Sequence, residues 1–218
     1  MKKSGFRNAV ILFAKEPIIG QVKTRLNSIL GERGSYDFYC RLLRYICKQL
    51  DSQKDFDFLV YTNRKINLRK SFFHGKPVYY QHGKDLGEKM FQCLNEQLNH
   101  YDKVVLMGAD CPEINHEIIN EALKQLDLVS HVFVPVDDGG YSLIATSRTS
   151  AEIFTEIDWG SDKVMQQTIC KLKQQDFSYK LLKKQFDVDS KDDFIKLKNN
   201  KKYNFLTDGL FLLKGLAD

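Results

Sequence analysis

The sequence predicts an α/β protein with a mostly parallel sheet flanked by helices, and three observations carry that expectation. Asn8 to Ala14 (NAVILFA) is a nearly continuous apolar run followed by polar and turn residues, which reads as a strand buried on both faces. From Ser35 to Leu50 the apolar positions Phe38, Tyr39, Leu42, Leu43, Ile46 and Leu50 recur at three- and four-residue steps, specifying a helix with one apolar stripe. Strand chemistry and helical periodicity then alternate along the chain, as βαβ units require.

The remaining elements follow in order. Phe56 to Thr62 (FDFLVYT) returns to strand chemistry, and Val78 to Tyr80 reads as a short strand. Leu86, Met90, Phe91, Leu94 and Leu98 mark a second helix, with Asp85 as its N-cap and Glu88 at capping-box spacing. Lys103 to Met107 (KVVLM) is a third clear strand, ended by Gly108-Ala109-Asp110-Cys111-Pro112. Asn115 is placed to cap a helix carrying Ile118, Ile119, Ala122, Leu123 and Leu126. His131 to Val136 and Tyr141 to Ala145 form two strands around Asp137-Asp138-Gly139-Gly140. A helix from Asp162 to about Gln174, a strand over Tyr179 to Leu182 and a helix from Lys191 to Leu197 complete the series.

Composition excludes several classes. The 218 residues include 15 Phe and 10 Tyr but only 4 Pro and 13 Gly, which rules out a disordered or collagen-like chain. No internal repeat or Pro/Gly/Ser-rich linker divides them, so one domain is expected. The longest purely apolar run, Ala9 to Ala14, is far short of the roughly 18 residues of a membrane helix. A soluble, cytoplasmic protein with no signal peptide and no membrane span is therefore expected. The five cysteines form no C-x-x-C pair and have no His partners at zinc-ligand spacing, which suits a reducing compartment. The excess of 33 Lys+Arg over 28 Asp+Glu is dispersed, so no nucleic-acid partner is expected.

In such sheets ligands bind outside the carboxyl ends of the strands, which directs attention to the loops there. The loop after the first strand reads Lys15-Glu16-Pro17-Ile18-Ile19-Gly20-Gln21-Val22-Lys23-Thr24-Arg25-Leu26, with three cations, Lys15, Lys23 and Arg25, within eleven residues. A guanidinium and an ammonium at a strand end can jointly neutralise a diphosphate. Neither familiar phosphate loop is present: Gly20 and Lys23 are three apart where a Walker A loop has Gly-Lys adjacent, and no G-x-G-x-x-G occurs. A basic loop that simply faces water is the alternative.

Asp110 directly follows a buried run, where a carboxylate can hold Mg²⁺ or Mn²⁺ against a phosphate; a turn or capping role is the alternative. In Phe186-Asp187-Val188-Asp189-Ser190 the two acids alternate about Val188, so in an extended segment both point to one side. Asp189 or Ser190 could equally cap the following helix. Asp137-Asp138-Gly139-Gly140-Tyr141 combines hydroxyl-accepting acids with glycines that allow close backbone approach, though it also fits a plain hairpin turn. Trp159 could stack on a ring or cover the core, and Cys111 has no base partner in the sequence.

In order, the motifs FAKEPIIGQVKTRL, DLGEKM, VLMGADCPEI, PVDDGGYSLIA, DWGSDKV and DVDSKDDF resemble the bacterial DUF2064, or glycosyltransferase-like, family, over roughly residues 8 to 198. That family is similar in turn to the nucleotide-diphospho-sugar transferase superfamily. The resemblance implies a three-layer α/β/α, Rossmann-like GT-A fold with a mostly parallel mixed sheet, spanning residues 1–200 as one domain. Residues 201–218 fall outside it as an apolar tail, with Phe205, Leu206, Leu210, Phe211, Leu213 and Leu216 packing on the domain or on a partner such as a second copy.

The resemblance also implies roles. Lys15, Gly20, Lys23, Thr24 and Arg25 would receive a nucleotide's phosphates, and Asp110 and Asp189 would hold Mg²⁺ or Mn²⁺. Asp138, Gly139, Gly140 and Tyr141 would line the acceptor side, with Lys23, Arg25 and Asp138 as the catalytic set. Two positions depart from the pattern: Ser190-Lys191 stands where Thr-Pro is common, and Gly108-Ala109-Asp110 offers one acid where typical glycosyltransferases show D-x-D. The expected function is a transferase joining a nucleotide-activated substrate, foremost a nucleotide-sugar, to a small-molecule acceptor. Nucleotidyl transfer with release of pyrophosphate, and nucleotide binding without catalysis, are the alternatives.

Overall fold

Seven strands form one sheet: β1 (Asn8–Ala14), β2 (Asp57–Thr62), β3 (Val78–Tyr80), β4 (Lys103–Gly108), β5 (His131–Pro135), β6 (Tyr141–Thr146) and β7 (Tyr179–Leu181). Their spatial order is β3-β2-β1-β4-β6-β5-β7. The structure is a computed structural model and describes residues 7–65, 71–210 and 212–213. Among the described strands only β6 runs against its two neighbours, and the other pairings are parallel.

The helices are α1 (Asn27–Asp51), α2 (Leu86–Leu98), α3 (His116–Gln125), α4 (Val164–Gln174), α5 (Lys191–Asn199) and the single turn α6 (Asn204–Thr207). The continuous apolar run of β1 is explained by its place, since Ile11 lies between Leu59 of β2 and Leu106 of β4. Because successive side chains alternate, Val10, Leu12 and Ala14 enter one core with α1, α3 and α5, while Ala9 and Ile11 enter a second with α2 and α4. The result is the three-layer α/β/α mixed sheet that the sequence predicts.

Two boundaries differ instructively. α1 begins before Ser35, because Ile29 and Leu30 are already buried, but it is broken at Gly31 (φ 67°, ψ 172°), which blurs the period there. α4 starts at Val164 instead of Asp162, the preceding residues forming a turn around Trp159. Asp85 and Asn115 do cap α2 and α3, accepting from the amides of Glu88 and Ile118. Of the C-terminal tail, Leu206 is in the core, Phe205 and Leu213 are exposed, and Phe211 and Leu216 lie outside the described residues. No described helix is long and apolar enough to cross a membrane.

Candidate functional site

The loop after β1 is anchored before it reaches its cations. The Lys15 amide donates to the Tyr39 hydroxyl of α1 at 2.9 Å, and that hydroxyl donates back to the Lys15 carbonyl at 3.2 Å. Glu16 donates its amide to Asn63 Oδ1 at 3.2 Å and accepts on its carboxylate from the Ser71 hydroxyl at 3.0 Å. Gly20, at φ 76°, then turns the chain, and Lys23 itself lies in the left-handed region (φ 47°, ψ 40°). For a lysine this conformation is uncommon and must be held by its surroundings.

What holds it is a set of oxygens. Lys23 Nζ lies 2.5 Å from Asp110 Oδ1 and 3.8 Å from Asp189 Oδ1, and donates to the Val188 carbonyl at 2.6 Å. The side chain is only 3% exposed. Arg25, 73% exposed, pairs through Nη1 with Asp189 Oδ2 at 2.5 Å, leaving the other guanidinium nitrogens facing solvent. Thr24 is exposed in the turn between them. Thus the two cations nearest the acids differ: one is sequestered and the other can meet a ligand.

Asp110 and Asp189 meet because the segment after β7 is stitched to the end of β4. The Val188 amide donates to the Asp110 carbonyl at 3.0 Å, and the Phe186 amide to Glu113 Oε2 at 2.8 Å. The Cys111 thiol donates to the Phe186 carbonyl at 3.0 Å; burial pushes it up to about 12, so it acts as a neutral tether and not as a nucleophile. Ser190 forms the capping box of α5 with Asp193, which leaves Asp189 free for Arg25 and Lys23.

These elements border a cavity of about 640 Å³ that Lys15, Lys23, Asp110, Asp138, Tyr141 and Asp189 line together. Gly140 lines it too, donating its amide to Asp138 Oδ1 at 2.8 Å, while Gly139 stands behind, its φ of 86° turning the chain against Asp162. Tyr141, among the lining residues, packs edge-on against Phe133 and Trp159, with centroids at 5.1 and 6.4 Å. The predicted residues that do not line the cavity are Gly20, Thr24 and Arg25, on the loop at its rim, and Gly139.

Leu86 and Lys89 carried no signal of their own beyond the DLGEKM motif that holds them. Lys89 and Leu86 come from the first turn of α2, where a charged or apolar residue is unremarkable by pattern. Trp159 reaches the cavity because Gly87 has no side chain: a Cβ there would lie 2.7 Å from Trp159 Nε1 and 2.5 Å from the Phe154 carbonyl. Asp187 was legible through its alternation with Asp189. Burial and the neighbouring Asp138 carboxylate, with smaller contributions from Asp193 and Asp110, push its carboxyl up to about 6.

The fold and this site at the strand ends define the class of nucleotide-diphospho-sugar transferase folds. The chain is similar to a candidate nucleotide-diphospho-sugar transferase from Desulfovibrio desulfuricans G20, with 25% identity, a TM-score of 0.84 and coverage of 93% of this chain and 95% of that one. It shares its fold with a 4-diphosphocytidyl-2C-methyl-D-erythritol synthase from Anaerococcus prevotii DSM 20548 (10% identity, TM-score 0.54, covering 88% and 96%). A CMP:2-keto-3-deoxy-manno-octonic acid synthetase complexed with CTP has the fold as well (9% identity, TM-score 0.52, covering 88% and 97%). No curated protein matches. Residues 47–161 match the family described as uncharacterized proteins conserved in bacteria, DUF2064, and the chain belongs to that family.

Proposed function

We propose that the chain is a divalent-metal-dependent transferase acting on a nucleotide-activated substrate, foremost a nucleotide-sugar. The observation that carries this reading is the convergence of Asp110 and Asp189 with Lys23 on one cavity at the carboxyl ends of parallel strands. Asp110, Asp189 and the Val188 carbonyl already surround a cation, the Lys23 ammonium, and are hard oxygen donors of the kind Mg²⁺ and Mn²⁺ prefer. Among the described residues no three His, Cys, Asp or Glu side chains form a closed cage. Two carboxylates with the remaining positions left to water and substrate phosphate are typical of Mg²⁺. A metal held by Asp110 and Asp189 would offset the charge of a diphosphate leaving group.

The chain's own residues supply the rest. Arg25 presents its free guanidinium nitrogens at the rim and Lys15 its ammonium at the wall, where phosphate oxygens can be bound and oriented. Asp138, which lines the same cavity, could accept from an acceptor hydroxyl, and Tyr141 and Trp159 offer apolar lining to a ring. With Cys111 buried and neutral, direct attack by the acceptor is the simpler route. Nucleotidyl transfer is the second reading, favoured by the buried Ala109, which leaves Asp110 as the single acid at this strand end.

The two readings separate by product. Incubation with Mn²⁺ and panels of nucleotide-sugars or nucleoside triphosphates should release nucleoside diphosphate in the first case and pyrophosphate in the second. Asp110→Asn should lower turnover by about 10²–10³-fold. Its unfolding free energy should fall by about 1–3 kcal/mol, because the buried Lys23 ammonium keeps an amide oxygen there but loses its nearest counter-charge. Unchanged turnover in that variant would remove the metal role.

A further inference from the structure

The described site has its cation position filled by the protein itself. Lys23 Nζ lies within 2.6 Å of Asp110 Oδ1 and the Val188 carbonyl, and 3.8 Å from Asp189 Oδ1. An ammonium has three N–H donors, and this one faces three oxygens. The same three oxygens are those assigned to the metal, and a monocation and a dication cannot share so close a set without strong mutual repulsion. The ammonium also arrives by a costly route, from a left-handed backbone (φ 47°, ψ 40°) immediately before the three-residue turn Thr24–Leu26, whose Leu26 amide donates to the Lys23 carbonyl at 2.9 Å.

We propose that Lys23 is the resting occupant of the cation position between Asp110, Val188 and Asp189, and that a divalent cation binds there only by displacing its ammonium into the cavity. This rests on the metal-dependent reading above and deepens it. In the resting state Lys23 screens Asp110 from Asp189 and holds the 186–189 segment against β4. Metal takes over both tasks, and the released ammonium, with its stem rooted in the phosphate loop, becomes a third cation beside Lys15 and Arg25. The loop is thereby armed only when metal is loaded. Arg25 stays on Asp189 Oδ2 and keeps that carboxylate in place during the exchange.

The test measures Mn²⁺ binding to the full chain without nucleotide, by electron paramagnetic resonance titration. Lys23→Met, which removes the competing charge and keeps the stem, should bind Mn²⁺ at least about tenfold more tightly than wild type, whereas Asp110→Asn should lose binding. Equal or weaker binding in Lys23→Met would overturn the exchange. Retained binding in Asp110→Asn would instead place the metal elsewhere and overturn the underlying reading with it. Should Lys23→Met fail to fold, lysine acylation of the wild-type chain mapped by mass spectrometry decides the matter. Lys23 should be protected without metal and labelled several-fold faster at saturating Mn²⁺, and protection that persists would overturn the proposal.

Discussion

Lys23 and Arg25 carry the same charge two residues apart and serve opposite ends. Burial and three oxygens commit the first to the acids, while the second keeps most of its donors in solvent. Burial decides chemistry elsewhere as well. His131 is 0% exposed; its ring bonds through Nδ1 to Ser130 Oγ at 3.0 Å, and among the described residues Nε2 finds no partner. Burial, and secondarily the Arg148 charge, lower it from 6.5 to about 4. The unfolded chain therefore takes up a proton below pH 6.5 that the native chain refuses until about pH 4, so this histidine costs stability as the pH falls through that window. Asp187 acts in the opposite sense, since its raised carboxyl takes up a proton in the native state first. The prediction thus concerns a difference: between pH 7.5 and 4.5, urea unfolding of His131→Gln should lose about 2.5 kcal/mol less than wild type.

At the scale of elements, the junction between β5–β6 and α4 depends on an absent side chain. A Cβ on Gly139 would lie 2.1 Å from the Asp162 carbonyl oxygen, and its φ of 86° disfavours any other residue, while the Met165 amide donates to the Gly139 carbonyl at 2.9 Å. Gly139→Ala should therefore destabilise by roughly 2–4 kcal/mol. Gly140→Ala, whose Cβ would press on the exposed Asp138 carboxylate at 3.1 Å and touch Val136 at an ordinary 3.8 Å, should cost about 1 kcal/mol or less. Chemical denaturation of both variants checks the contrast. The elements themselves were legible wherever burial imposes a period, as in β1, β4 and the stripe Phe38–Leu50. The reversal of β6 was not, because a strand buried on both faces reads the same in either direction. Nor was the break at Gly31, since a glycine inside a periodic run signals direction only when its φ is known.

For the whole molecule, ligand and fold should be coupled, because the cavity draws its wall from the loop after β1, the end of β4 and the segment before α5. A nucleotide or nucleotide-sugar with Mn²⁺ at about 100 times its dissociation constant adds about 2.7 kcal/mol, which for a chain of this size raises Tm by about 5–10 °C. A thermal-shift screen over both ligand classes reads this directly, and the shift should collapse in Asp110→Asn. The sequence displayed each part of this wall as a motif at a strand end. It could not display their pairing, since the Lys23–Val188 contact spans 165 residues and no local pattern encodes so distant a partner.

That same span sets an order of events during synthesis. Chains emerge amino terminus first, and domains begin to organise as they do. β1 and the loop after it leave the ribosome long before Asp189, so until then Lys23 has no Val188 carbonyl to grip and Asp110 no companion acid. The candidate site can assemble only once Asp189 has emerged, and a polypeptide stopped before residue 186 would lack Val188, Asp189 and every helix that follows. The meeting of Asp110 with Asp189 is thus withheld until the 186–189 segment has been made.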